Sequence, residues 1–362
     1  MPRKFPRAIK RIVIKVGSSV VATYAMKPRA AQFRSLVDQI SLLRKRGIDV
    51  VLVSSGAIVL GMGELKLRSR PGDLASLQAL AAIGQTILMR TYSELFKKVK
   101  ATCAQVLLTW DDFDARQRYN NARSTLNALL ERKVIPIVNE NDTISTDEIK
   151  FGDNDKLSAF VACLANADLL LILSDVEGLY DLKGSEKRIF EEIKEITHEI
   201  EGLAGGSQNK HVSKGGMSTK LEAVKIATHS NIPCIIANGE TKNVLSRILK
   251  GERIGTFFVE KAEKLIARRH WISFGAKPKG RLYVDEGAKK ALLDGGKSLL
   301  LPGIRKWDGH FNADDVVVVC DEKGDEIARG ITDYSVSDLH KTEEKRNKRE
   351  VIHRDNLVFG KR

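Results

Sequence analysis

Four short segments carry residue types that could do chemistry. In Ile14-Lys15-Val16-Gly17-Ser18-Ser19 a lysine closes an apolar run beside a glycine-serine turn. There it can meet phosphate oxygens while turn amides add further donors; a surface lysine ahead of a turn would read the same way. A second apolar run ends in Val53-Ser54-Ser55-Gly56-Ala57. Its glycine would let a ligand approach the backbone and its hydroxyls can bond an anion, although small residues also serve close packing of helix on strand. The third segment is a pair of carboxylate-amide clusters, Val138-Asn139-Glu140-Asn141-Asp142-Thr143 and Phe151-Gly152-Asp153-Asn154-Asp155-Lys156. Such clusters can hold an ammonium group, organise catalytic lysines or ligate a hard cation through oxygen. Asp and Asn are also turn and N-cap residues, so Asp153 or Asn154 can simply cap a following helix. Two clusters following one strand tip the balance toward function. The fourth segment, Lys214-Gly215-Gly216-Met217-Ser218-Thr219-Lys220, sets paired glycines at the start of a helix with Lys220 in its first turn. Exposed N–H groups at that positive end suit a phosphate chain; a glycine hinge before a basic helix is the plainer alternative. Upstream, Leu173-Ser174-Asp175-Val176-Glu177-Gly178-Leu179-Tyr180 closes another apolar run and can enclose a nucleotide base.

These segments need a scaffold. Short β-branched runs at 11–16, 48–54, 102–108, 134–138, 168–173 and 232–237 alternate with helical spacing at 73–100, 118–132, 154–164 and 217–230. Strands apolar on both faces, alternating with helices, imply a mostly parallel sheet covered on both sides. Ligands of such sheets sit beyond the carboxyl ends of the strands, where the segments above fall. After about residue 260 the texture changes. Strand-like runs at 279–284, 298–301, 316–320 and 326–331, turns such as Asp294-Gly295-Gly296 and a helix at 286–293 describe a small β-rich module. The expected domains are therefore 1–260 and 276–355, joined by a linker at 261–275, with 340–349 a solvated helix or tail.

Length and composition agree with this division. A chain of 362 residues has room for two or three domains of roughly 100–200 residues each. With 43% hydrophobic and 29% charged residues it is not a disordered chain. No apolar run approaches the ~18 residues of a membrane span. The first fifteen residues hold six basic groups and no acid, then give way to Gly17-Ser18 in place of a long apolar stretch, so no secretory signal and a cytoplasmic location are expected. The four cysteines form no CxxC pair and read as core residues, not as a disulfide framework or zinc site. From Trp271 onward there are 18 basic and 16 acidic residues, so +12 of the net +14 lies in 1–270. Positive charge suits nucleic acid or a small anion such as a nucleotide, and does not separate them. Other matches fail on context. His353-Arg354-Asp355-Asn356-Leu357 mimics a protein-kinase catalytic loop at the wrong end of the chain. Gly296-Lys297-Ser298 lacks the first glycine of a phosphate loop, position 291 being alanine.

In this order the four segments resemble the amino acid kinase family over residues 8–258, and within it the members that phosphorylate L-glutamate. The match is carried by 14–19, 53–61 and, above all, 137–155 with 215–220. From about residue 276 the chain resembles a PUA domain, on Gly280 to Val284, Glu286 to Gly295, Gly303-Ile304 and the 316–331 hairpin. The resemblance implies an α/β/α sandwich with a mostly parallel central sheet plus a small β-rich PUA-like domain. It implies ATP-dependent phosphorylation of the glutamate side-chain carboxylate to L-glutamate 5-phosphate, the first step of proline biosynthesis. Lys15 and Lys220 match the family's phosphate-binding lysines, and Asp155 its carboxylate that orients them. Ser55, Asp142 and Asn154 match glutamate-binding positions, with Asp153 assisting there or at Mg²⁺. Ser174, Asp175 and the stretch Lys214, Gly215, Gly216, Met217, Ser218, Thr219 and Lys220 match nucleotide-binding segments. Lys214 departs from the small polar residue expected before the glycines.

The implied chemistry needs no general base, because a carboxylate acceptor is already ionised near neutrality. The obstacle is repulsion between anions, which two lysines, Mg²⁺ carried mainly by the ATP phosphates and the loop amides would offset. No protein ligand is assigned to the metal, and the substrate ammonium is expected at Asp142. The resemblance also implies a homo-oligomer (dimer or tetramer), inhibition by proline and handover of product to glutamate-5-semialdehyde dehydrogenase. The alternatives are another acceptor in the same family (aspartate, N-acetylglutamate, carbamate or a nucleoside monophosphate) and an RNA-binding protein acting through the PUA-like domain. The acidic clusters favour a free amino acid, and the near-neutral tail counts against RNA as the main ligand.

Overall fold

Residues Arg11–Val16 (β1) are buried along all but the first position, as expected of a strand with neighbours on both sides and helices on both faces. The computed structural model describes residues 2–23, 25–114, 116–144, 154–181, 188–205, 216–261, 278–342 and 350–359. Within the first unit, Met1–Asp112 and Arg116–Lys264, the other strands are β2 (Asp49–Ser54), β3 (Cys103–Leu108), β4 (Ile135–Glu140), β5 (Leu169–Ser174), β6 (Tyr180–Asp181), β7 (Arg188–Ile189), β8 (Glu192–Ile193), β9 (Cys234–Asn238) and β10 (Thr256–Phe258). One sheet runs in the order β3-β4-β2-β1-β5-β9-β10-β8, and β6 pairs with β7. Every pair from β3 to β9 is parallel; β10 turns antiparallel to β9.

Alternation along β1 divides two layers. Ile12, Ile14 and Val16 join a core with Phe33, Leu36 and Ile40 of α1 (Ala30–Lys45) and Leu88, Tyr92 and Phe96 of α3 (Leu74–Lys98). α5 (Asp155–Leu164) packs on β1 and β5, and α6 (Met217–His229) packs on α5. α4 (Arg116–Glu131) lies between β3 and β4 in sequence.

α1, β10 and the short strands β6 to β8 were not among the expected elements, and two further differences bear on the site. β4 continues to Glu140, two residues past the expected end, because Leu107 and Leu108 of β3 stay in register with Asn139 and Glu140. The unanticipated helix α2 (Ala57–Glu64) contains two glycines, poor helix formers. Its stability comes from packing: a Cβ on Gly84 of α3 would lie 1.7 Å from the Ala57 carbonyl oxygen, and one on Gly61 would lie 2.0 Å from that of Leu80. The glycines let the two backbones touch.

The second unit, centred on Leu265–Arg362, has strands β11 (Gly280–Val284), β12 (Leu299–Leu300), β13 (Ile304–Gly309), β14 (Val316–Cys320), β15 (Glu326–Ile331), β16 (Glu350–Ile352) and β17 (Leu357–Phe359). Five form a sheet, β13-β11-β14-β15-β17, and β12 pairs with β16. Leu282, Val317, Val319, Leu339 and Val351 are in its core. The helix Glu286–Leu293 falls where its apolar spacing placed it. β13, β16 and β17 were not anticipated, because β13 is largely exposed and the other two are short. A helix at Val336–Thr342 covers the start of the expected 340–349 segment. Its remainder, and the 261–275 linker beyond Lys261, lie outside the described residues. Cys234 and Cys320 are buried, Cys103 and Cys163 only half-buried, and none forms a disulfide. Among the described residues no helix is long and apolar enough to cross a membrane.

Candidate active site

Lys15 lies beside Val53 on one neighbouring strand and Ile172 on the other, and is only 2% exposed. A lysine there demands a counter-charge, since an unpaired buried charge is strongly destabilising. Asp155 supplies it. As the first residue of α5 this carboxylate gains from the positive helix end. It is fully buried, and its Oδ1 lies 2.6 Å from Lys15 Nζ. From the first turn of α6, the Lys220 ammonium donates to Asp155 Oδ2 at 3.2 Å, and it too is buried. The Thr219 hydroxyl lies 3.3 Å from the same oxygen and 2.8 Å from the Gly216 carbonyl oxygen. One carboxylate thus gathers two ammonium groups from widely separated parts of the chain. Taken alone, the trio carries more positive than negative charge, an arrangement that favours an incoming anion.

One residue earlier, Asn154 occupies the N-cap position of α5 but makes no cap with its side chain. Its amide instead donates to Asn139 Oδ1 at 2.7 Å and Ser55 Oγ at 3.0 Å, tying the ends of β4 and β2 together. Asn139 also accepts from the Glu140 backbone N–H at 2.9 Å and donates to Gln85 Oε1 at 2.8 Å. Gly56 follows Ser55 with φ of +107°, where a Cβ would also come 2.7 Å from Val21, so the turn calls for glycine. A cleft opens here, lined by Ser18, Ser55, Asn139, Asp142, Asn154 and Arg70. Asp142 is buried, and that burial pushes its carboxyl up to about 7; Glu140 nearby pushes the same way and Arg70 opposes. An incoming ammonium would favour the ionised form. Arg70 was missed in the sequence. It lies in the polar 65–73 connection between α2 and α3, and nothing in its spacing sets it apart from Arg68.

The nucleotide-binding candidates flank this centre. Ser174 ends β5, the strand beside β1, and its hydroxyl donates to Asp175 Oδ1 at 2.9 Å. At α6, Gly216 is the N-cap in extended conformation, with no side chain capping the helix. Helix geometry points the first-turn N–H groups of α6 out of its N-terminal, positive end. Asp153, Lys214 and Gly215 lie outside the described residues. Among the described residues no group of three or more His, Cys, Asp or Glu is placed to hold a metal ion. Both Asp155 oxygens face ammonium groups, so this carboxylate fits the role of lysine partner and not that of metal ligand.

Comparison with known proteins follows the same lines. The amino acid kinase family matches residues 10–238 and the PUA domain residues 280–354. Glutamate 5-kinase of Dictyoglomus turgidum is 48% identical, with 98% of each chain covered. Glutamate 5-kinase of Thermoanaerobacter sp. (strain X514) is 44% identical over 97% of this chain and 98% of its own. Among solved structures, carbamate kinase from Giardia lamblia bound to AMP-PNP covers 70% of this chain and 99% of its own, at 22% identity and a TM-score of 0.50, and so shares the fold of the first unit.

Proposed function

The chain belongs to the amino acid kinase family, and from that premise we infer that it transfers the γ-phosphoryl group of ATP to the side-chain carboxylate of L-glutamate. The products are L-glutamate 5-phosphate and ADP, and the reaction opens proline biosynthesis. The observation that carries the chemistry is the adjacency of Asn154 and Asp155: one residue lines the acceptor cleft and the next gathers both lysines. The near-full-length similarity to glutamate 5-kinases supports the choice of acceptor.

Phosphoryl transfer asks a protein mainly for alignment and for neutralisation of moving charge. In this reading Lys15 and Lys220 face the migrating phosphoryl group and Asp155 fixes where they point. The α6 amides, with Gly215, Gly216 and Lys214, take the phosphate chain, and Ser174 and Asp175 border the nucleoside. Ser55 and Asn154 position the acceptor, Asp142 binds its ammonium, and Asp153 assists at the acceptor or at Mg²⁺. ATP acts as its Mg²⁺ complex, the cation arriving on the phosphates as part of that substrate.

We place the catalytic domain in 1–260 and the PUA-like domain in 276–355, joined through 261–275. The family resemblance supports extending the reading to a homo-oligomer in the cytoplasm. It would be inhibited by proline and would pass its labile acyl phosphate to glutamate-5-semialdehyde dehydrogenase. The deciding experiment incubates the protein with Mg·ATP, hydroxylamine and one acceptor at a time. Hydroxamate formed with L-glutamate is the expected result. Hydroxamate with aspartate or N-acetylglutamate but none with glutamate would overturn the acceptor assignment.

A further inference from the structure

We propose that Arg70 is the α-carboxylate clamp of the acceptor cleft, a specificity-determining residue that acts with Asp142 to select a free amino acid. The inference rests on the glutamate reading above and deepens it. Among the described residues lining the cleft, Arg70 and Asp142 carry the ionisable side chains; the remainder are hydroxyls, amides, glycine and apolar groups. Their charges act on one another, Arg70 opposing the upward push that burial and Glu140 exert on the Asp142 carboxyl. Both side chains line the same cleft, which puts an acid and a base in one local field.

That pairing mirrors an amino acid. The α-carbon presents an ammonium and a carboxylate on the same atom. A cleft containing Asp142 alone would attract the first and repel the second. A guanidinium beside it removes the conflict and can take the carboxylate through two parallel N–H donors. The remaining acceptor group, the side-chain carboxylate, is then left for the Ser55–Asn154 side of the cleft, next to Asp155 and its lysines.

Local structure presents Arg70 for this task. It is exposed, so an arriving substrate can reach it. The connection it occupies is pinned at both ends: the Leu67 N–H donates to the Met62 carbonyl oxygen at 2.9 Å, and Asp73 Oδ1 accepts from the Ser76 N–H at 2.8 Å. Pro71 follows directly and restricts the Arg70 backbone to extended conformations, lowering the ordering cost of a loop-borne side chain.

The test compares full-length wild type with Arg70→Gln and Arg70→Lys by hydroxamate and ADP-release kinetics. 4-Aminobutyrate, which is glutamate without its α-carboxylate, serves as a competing ligand. Arg70→Gln is expected to raise the glutamate KM roughly 10–100-fold, the range for a lost charge-assisted hydrogen bond. It should leave the KM for ATP and the inhibition constant of 4-aminobutyrate unchanged, with Arg70→Lys intermediate. An unchanged glutamate KM in Arg70→Gln overturns the clamp. So does a parallel weakening of glutamate, 4-aminobutyrate and ATP, which would mark a merely structural role. The two readings fail separately: wild type that forms no glutamyl hydroxamate overturns the acceptor, whereas active wild type with an indifferent Arg70→Gln overturns only the clamp.

Discussion

The proposed phosphoryl end of the site and its proposed acceptor end are built on different physical terms. Lys15, Asp155 and Lys220 stand on a central strand and two helix starts, each no more than 4% exposed, with their charges already paired. Asp142 and Arg70 come from connections; one is a buried carboxyl held up near 7 and the other an exposed guanidinium. The first set is pre-organised, so little reorganises when charge moves. The second sets an acid and a base in one cleft, which suits a ligand that brings an ammonium and a carboxylate together. One fold can thus keep a fixed chemical step while its acceptor pocket changes by loop substitution.

The contrast is broken most directly by removing a lysine. Lys15→Ala or Lys220→Ala should lower kcat roughly 10²–10³-fold, the scale for a lost transition-state donor, with a smaller change in glutamate KM. Stopped-assay kinetics decide, and turnover near wild type in either variant would remove the phosphoryl role from this trio. Asp142→Asn should do the reverse. It is expected to raise glutamate KM about 10-fold or more while kcat changes less, because binding common to ground and transition states is lost. An unchanged KM would move the ammonium site elsewhere.

The two ends also differed in how far they could be read without a structure. Runs such as Leu169–Ser174 announce a buried parallel strand through their composition, so Lys15, Ser55 and Ser174 could be placed at strand ends. Local pattern could not reveal that Asp155 spans both lysines, since contacts at such separation depend on how α5 and α6 pack. Asn154 illustrates a further limit. Its position before a helix predicts a cap, yet the side chain is drawn sideways to Ser55 and Asn139. Arg70 was illegible for the opposite reason: a basic residue in a polar connection is ordinary, and only the cleft distinguishes it. The α2–α3 crossing was missed because glycines that weaken a helix locally are what allow its closest packing.

Proton linkage sharpens the comparison further, since burial pushes the Asp142 carboxyl up to about 7. A carboxyl raised above its unfolded value binds more protons in the folded state. Its contribution therefore makes stability fall as pH rises from about 4 through 7, with the deficit complete above that. Under the proposed role of Asp142, glutamate binding runs the other way, because the ammonium would need the ionised carboxylate. Between pH 6 and 8 the glutamate KM should fall by up to about tenfold and then level off, with the ATP KM nearly flat. In Asp142→Asn the slope should vanish. A wild-type profile that rises or stays level over that range would place the titrating group outside the acceptor cleft.

The smallest effect concerns Thr219, whose hydroxyl lies between Asp155 Oδ2 and the Gly216 carbonyl oxygen. If the phosphoryl end is pre-organised, a neutral group on its margin should tune it only slightly, because Lys15 and Lys220 continue to hold the carboxylate. Thr219→Val keeps the side-chain shape and removes the hydroxyl. A loss of about 3–10-fold in kcat is expected, the magnitude of one neutral hydrogen bond, with glutamate KM unchanged and Arg70→Gln adding to it independently. Should Thr219→Val instead change glutamate KM or combine non-additively with Arg70→Gln, the two ends would be energetically coupled and the division between a rigid chemical centre and a loop-borne acceptor pocket would fail.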